Sequence, residues 1–124
     1  MTQIEHLDLE DLLRLFRALG AGPVRDIGLL DSASARPRSS AFGQDAYPTL
    51  DVKAAALLLA LARNHPLVDG DKRLTWLATV VFLDLNSCGP QLTHEAACDL
   101  VMDVAEGRLD VTQITARLRV TPRE

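Results

Sequence analysis

Aromatic residues are scarce in this chain of 124 residues, where they make up 4% of the total. A β-sandwich core depends on aromatic and β-branched side chains, whereas a core of leucine, valine and alanine favours packed helices. Hydrophobic residues as a whole reach 48%, which is ordinary for a folded globular protein. The composition therefore argues against a disordered chain and favours a helical one.

The chain also lacks an excess of positive charge. Its formal net charge is −4 and its pI is about 5.3, and its basic residues are scattered apart from the pairs Arg36/Arg38 and Lys72/Arg73. Nucleic-acid-binding domains usually carry a basic stripe, so nucleic acid is not an expected partner. Lysine is rare too, since the other basic residues besides Lys53 and Lys72 are all arginine. A general use of lysine for solubility therefore does not explain Lys72.

Signals for membranes and secretion are missing as well. The longest apolar run, residues 54–62, is far shorter than the roughly 20 residues that span a bilayer, and acidic residues interrupt the N-terminal segment where a signal peptide would be apolar. Cys88 and Cys98 match neither a zinc knuckle nor a CxxC pair, and as free thiols they fit a reducing compartment. We therefore expect a single cytoplasmic domain over residues 1–124, with no membrane partner.

Helical periodicity runs through most of the chain. Helices are predicted near residues 8–19, 26–35, 94–106 and 111–119. Two further segments, 51–64 and 72–86, are apolar on nearly every face, so both must be buried and must pack against each other. Residues 36–48 show no periodicity and are predicted to form a long loop. No segment alternates like a strand, so the predicted fold class is all-α: a helical bundle with two central buried helices.

The junction between these two buried helices carries most of the functional signal. Asp69-Gly70 is a turn signal, Asp71 is placed as the N-cap of the second helix, and Lys72 and Arg73 fall in its first turn. A helix N-terminus is already positive and its first N–H groups have no partner within the helix. Two cations there are unfavourable unless an anion lies over them, so the pattern indicates a phosphate-binding site.

Next to this predicted phosphate-binding site in the sequence, His65 and Asp69 supply groups suited to catalysis. Histidine accepts a hydroxyl proton at neutral pH, and a carboxylate is a hard oxygen ligand for Mg²⁺. Each residue alone also has a structural interpretation: His65 as a group at a helix C-terminus, Asp69 as part of a turn, Asp71 as a cap, and the two cations as a solvated face. Their occurrence within nine residues favours the functional interpretation, and the residues by themselves indicate a phosphate-binding helix N-terminus with the groups that phosphate transfer requires.

The stretch 65–73, which reads HPLVDGDKR, resembles the signature of the Fic/Doc family. The usual form is His-Pro-Phe, any residue, an acid, Gly or Ala, Asn, Lys or Gly, and Arg. Flanking segments that resemble the family's death-on-curing (Doc) branch are residues 24–33, 46–48, 53–55 and 82–86. The resemblance extends from about residue 24 to residue 118. It implies an all-helical fold with the motif between the two central helices.

The resemblance also implies roles for the motif residues. His65 would act as general base, Asp69 would help to hold Mg²⁺ on ATP, Gly70 with the helix start would form the anion hole, and Lys72 and Arg73 would serve phosphate binding and catalysis. Relatives that transfer AMP usually have Gly where Lys72 stands, whereas Doc-type relatives have Lys and transfer the γ-phosphate.

By this resemblance, the target is a threonine of elongation factor Tu, and its modification blocks translation. Some relatives restrain themselves with a helix of the pattern Ser/Thr-x-x-x-Glu-Gly/Asn. Here Met102 occupies the Ser/Thr position before Glu106-Gly107. The expected partners are therefore a separate antitoxin protein and elongation factor Tu.

Asp71 departs from the family pattern, which has Asn at this position. An ionised carboxylate donates no hydrogen bond to a phosphate oxygen and repels it, although it caps a helix as well as Asn does. Either Asp71 weakens nucleotide turnover, or it becomes a second Mg²⁺ ligand and activity is retained. Two alternatives to the Doc-type kinase therefore stand: a protein adenylyltransferase that moves AMP, and a catalytically attenuated Fic-fold binding protein.

Overall fold

The computed structural model describes residues 3–20, 23–64 and 71–123. The described chain contains six α-helices: α1 (Leu9–Leu19), α2 (Ile27–Ala35), α3 (Leu50–Asn64), α4 (Asp71–Leu85), α5 (His94–Ala105) and α6 (Val111–Leu118). Each of them lies within one residue or two of its predicted bounds. The helical fold expected from the sequence is therefore confirmed.

The helix ends follow local capping chemistry. Asp8 and Asp11 form a reciprocal capping box at the start of α1, and Gly20 ends that helix in the left-handed conformation at φ 63°. Thr93 caps α5 by accepting a hydrogen bond from the backbone N–H of Ala96. These side chains satisfy backbone groups that would otherwise lack partners, which explains why the helix bounds could be read from the sequence.

Helices α3 and α4 form the centre of the fold. Leu57, Leu58 and Leu61 of α3, together with Leu74 and Phe82 of α4, are almost completely excluded from solvent. Helices α2, α5 and α6 pack on α3, and α1 packs on α4. Because α3 is surrounded in this way, it can be apolar on nearly every face.

Two short antiparallel sheets correct the expectation that the chain contains no strands. The first, β1 (Ser40–Ala41) with β2 (Gln44–Asp45), is a hairpin in the stretch predicted as a loop, and a single 3₁₀ turn, Arg36–Arg38, precedes it. The second pairs β3 (Cys88–Pro90) with β4 (Val120–Pro122). Strands of two or three residues are too short to produce an alternating pattern, so they could not be predicted from the sequence.

The end of α4 is tied to the N-terminal segment. The side chain of Asn86 accepts a hydrogen bond from the N–H of Glu5 at 2.8 Å and donates one to the carbonyl of Glu5 at 2.9 Å. Ser87 then reverses the chain with a positive φ of 61°, the region that favours glycine. Asn86 therefore holds the N-terminal segment against the end of α4.

In the part of the chain that the structure describes, no helix has both the length and the apolar character needed to cross a bilayer.

Candidate phosphate-binding site

The two central helices place the predicted motif at one end of the bundle. Helix α3 ends at Asn64 and α4 begins at Asp71, so the motif residues between them connect the two buried helices, as the sequence indicated. His65, Asp69 and Gly70 lie outside the described residues. Their roles as base, metal ligand and anion hole remain predictions.

The start of α2 lies at this same end of the bundle. The side-chain amide of Asn64 donates a hydrogen bond to the carbonyl of Leu29 at 3.1 Å, which joins the last residue of α3 to the first turn of α2. Asp26 caps α2 by accepting hydrogen bonds from the N–H groups of Gly28 and Leu29. Asn64 and Asp26 thus hold two helix ends, the C-terminus of α3 and the N-terminus of α2, close to each other.

The first turn of α4 carries the charges predicted for a phosphate site. Lys72 and Arg73 are exposed, and Asp71 is half-buried. Asp71 is the first helical residue, one position inside the N-cap place expected for it; helix bounds of this kind commonly differ by one residue. The exposed cations lie where the helix dipole is positive, so this end of α4 can attract an anion from solvent.

The long loop predicted over 36–48 is anchored by a buried lysine. The amine of Lys53, whose residue is only 4% exposed, donates hydrogen bonds to the carbonyl of Pro37 at 3.1 Å and to the carboxylate of Asp45 at 3.5 Å. Lys53 lies eleven residues before Asn64, which is about 16 Å along a helix axis. The base of the hairpin therefore lies toward the other end of α3, while Phe42 at the hairpin tip is fully exposed.

An apolar groove between α4 and α5 begins at the two exposed cations. It encloses about 450 Å³, and Lys72 and Arg73 line it together with Trp76, Leu77 and Val80 of α4. Its α5 side is formed by His94, Ala97, Cys98, Val101 and Met102. The sulfur of Cys98 lies 3.6 Å from Nε2 of His94.

Sequence reasoning did not identify this groove. A signal existed, because residues 94, 97, 98, 101 and 102 recur at the spacing of one helical face. Such a pattern equally fits packing against the core, and Ala97 and Val101 are indeed buried. What the pattern does not reveal is that Met102 and Cys98 on the same side of α5 remain exposed.

Two comparisons with known proteins bear on this site. The sequence model of the Fic/DOC family matches residues 6–83, a range that includes the motif at 65–73, all of α3 and all but the last two residues of α4. A protein described as "Toxin Doc" from Mycolicibacterium smegmatis is 48% identical over 120 residues, which is 92% of this chain and 91% of that protein. The similarity thus extends well beyond the motif.

Proposed function

Because this chain belongs to the Fic/Doc family, we propose that it is the toxin of a toxin–antitoxin pair and transfers a phosphate group from ATP to a hydroxyl of a protein. The observation that carries the proposal is the first turn of α4, where Lys72 and Arg73, the last two residues of the family motif, are both exposed. Arginine binds phosphate through two parallel hydrogen bonds, and lysine adds a compact charge. The buried α3–α4 pair supplies a rigid base for this turn.

In the proposed reaction, the target hydroxyl attacks the γ-phosphorus of ATP. A new O–P bond forms to the target oxygen, the bond from the γ-phosphorus to the bridging oxygen breaks, and ADP leaves with the electron pair. His65 accepts the hydroxyl proton on its imidazole. Lys72 and Arg73 stabilise the charge on the phosphoryl oxygens, and Gly70 with the N–H groups at the start of α4 binds them.

The residues at this site also fit a magnesium ion. Asp69, and Asp71 two positions later in the sequence, would offer carboxylate oxygens, the ligand type that Mg²⁺ takes in nucleotide sites. When bound, the ion would neutralise charge on the ATP phosphates. Lysine at position 72 supports transfer of phosphate over transfer of AMP, because the AMP-transferring relatives usually have glycine there.

The proposed partners follow from the same family assignment. The relative named Toxin Doc supports a toxin role, and a separate antitoxin would restrain it in the cytosol. We propose a threonine of elongation factor Tu as the acceptor, so that its modification blocks translation.

Asp71 favours a catalytically attenuated binding protein as the alternative function. A half-buried carboxylate in the first turn of α4 repels the phosphate that the neighbouring cations attract, so an attenuated protein that binds its partners with slow turnover is the second candidate. Its distinguishing property would be retained binding of elongation factor Tu with little transfer.

Isotope tracing distinguishes phosphate transfer from AMP transfer. Elongation factor Tu is incubated with the protein, Mg²⁺ and ATP labelled either at the γ-phosphate or at the α-phosphate. Label from the γ-position alone supports the proposal, and label from the α-position alone identifies an adenylyltransferase. Absence of label with both, while the two proteins still co-purify, supports the attenuated binding protein.

A further inference from the structure

The groove between α4 and α5 has the shape and polarity of a small-molecule site. Its volume of about 450 Å³ falls within the roughly 300–1,000 Å³ of ligand pockets, which are mostly apolar with a few polar groups that orient the ligand. Along α4 the groove runs from Lys72 to Val80, which is about 12 Å of helix. An apolar body of that length would therefore be accommodated.

The charged residues of the groove have a single sign. Of the described residues that line it, Lys72 and Arg73 carry positive charge and none is acidic. Both come from the first turn of α4, where the helix dipole adds to their field. A ligand that complements the groove consequently has an apolar body and a negative head group at the Lys72 end.

The extent of the groove favours a small ligand over a protein segment. Ten of the residues that the structure describes line it, whereas a stable protein interface takes roughly 20–30 residues on each side. We infer that the α4–α5 groove binds an amphiphilic carboxylate, such as a medium-chain acyl acid, with its head group at Lys72 and its chain along Trp76, Val80 and Val101.

This binding has a consequence that rests on the proposed function. If Lys72 binds the phosphates of ATP, a carboxylate at Lys72 competes with ATP. The acid would then raise the KM for ATP without lowering kcat. The binding itself does not depend on phosphate transfer, so the two ideas can fail separately.

Trp76 makes the binding directly measurable, because it is the one tryptophan in the chain and lines the groove. The whole protein is titrated with decanoate below its micelle concentration while tryptophan fluorescence is recorded, and decanol serves as the uncharged comparison. We expect a saturable change with decanoate, weaker binding of decanol, and roughly tenfold weaker binding of decanoate to the Lys72→Gln variant. Decanol that binds as tightly as decanoate, or decanoate that gives no saturable change, would overturn the inference.

Two variants of α4 test whether decanoate binds in the groove. Val80→Asp places a carboxylate in the groove and should abolish decanoate binding. Leu85→Asp is the matched control, because Leu85 is 50% exposed on the same helix and does not line the groove. Loss of binding in both variants would contradict the proposed position.

A measurement on the unaltered protein tests the same inference without depending on whether the variants fold. Cys98 lines the groove and Cys88 in β3 does not, so bound decanoate should slow alkylation of Cys98 by N-ethylmaleimide and leave the rate at Cys88 unchanged. Equal rates with and without decanoate at Cys98 would contradict the inference. Protection by an acidic amphipathic peptide but not by decanoate would do so as well, and would assign the groove to a partner's helix.

Discussion

Lys53 is predicted to stabilise the fold through one carbonyl rather than through its ion pair. In the Lys53→Met variant the apolar stem of the side chain is preserved, but the carbonyl of Pro37, 3.1 Å from the amine, is left buried without its partner. A hydrogen bond to a charged group contributes about 1.5–3 kcal/mol to stability, and a buried acceptor left without a hydrogen bond lowers the free energy of unfolding by a similar amount. Relief from burying the ammonium group offsets part of this loss, so we expect a net destabilisation of about 1–3 kcal/mol.

Asp45→Asn is the matched comparison for that prediction. The Asp45 side chain is 60% exposed and lies 3.5 Å from the amine, and exposed ion pairs typically contribute less than about 1 kcal/mol. Urea unfolding monitored by circular dichroism should therefore show a lower midpoint for Lys53→Met, with an unchanged slope, and a much smaller shift for Asp45→Asn. An Asp45→Asn shift as large as that of Lys53→Met would contradict this prediction, because the ion pair would then be the stabilising contact.

Three other perturbations follow from particular residues. Ser87→Gly should raise the free energy of unfolding by up to about 1 kcal/mol in the same urea assay, because Ser87 has a left-handed φ of 61° that glycine adopts without strain; a loss of stability would contradict this. Burial, with smaller effects from Arg38 and Lys53, lowers the pKa of His6 below 6.5. The unfolded chain therefore binds the proton more readily, and the contribution of His6 to stability is present above pH 6.5 and lost as the pH falls through the folded pKa. Thermal melts should show this pH dependence reduced in His6→Phe, and an unaltered dependence would exclude His6 as its source. Asp71→Asn should raise the rate of phosphate transfer, measured by γ-label on the target, because the amide no longer repels phosphate; a rate that is no higher would contradict this, and a lower rate would indicate that Asp71 is a metal ligand.

The helices could be predicted from the sequence because local chemistry defines both their ends and their faces. Asp8 and Gly20 mark the bounds of α1, and the continuous apolar runs of α3 and α4 require the central position that the structure gives them. The placement of Lys72 and Arg73 in the first turn of α4 follows directly from these bounds, and their role in phosphate binding stays a prediction.

Features that depend on contacts distant in sequence could not be predicted. The strand Cys88–Pro90 exists because Val120–Pro122 pairs with it, about thirty residues later, and neither segment alternates. Lys53 gave no sign in the sequence that its amine would be buried against Pro37. The groove beside Lys72 likewise depends on how α5 packs against α4, which periodicity alone does not determine.

We propose that the motif at residues 65–73 transfers phosphate from ATP to a protein hydroxyl, with His65 as the base. The most direct test is the intact mass of elongation factor Tu after incubation with the purified protein and Mg-ATP, with His65→Ala as control and Asp71→Asn alongside. We predict that the target gains the mass of one phosphate group with the native protein, and that this gain is lost with His65→Ala. A gain of AMP, or a phosphate gain that persists in His65→Ala, would contradict the account.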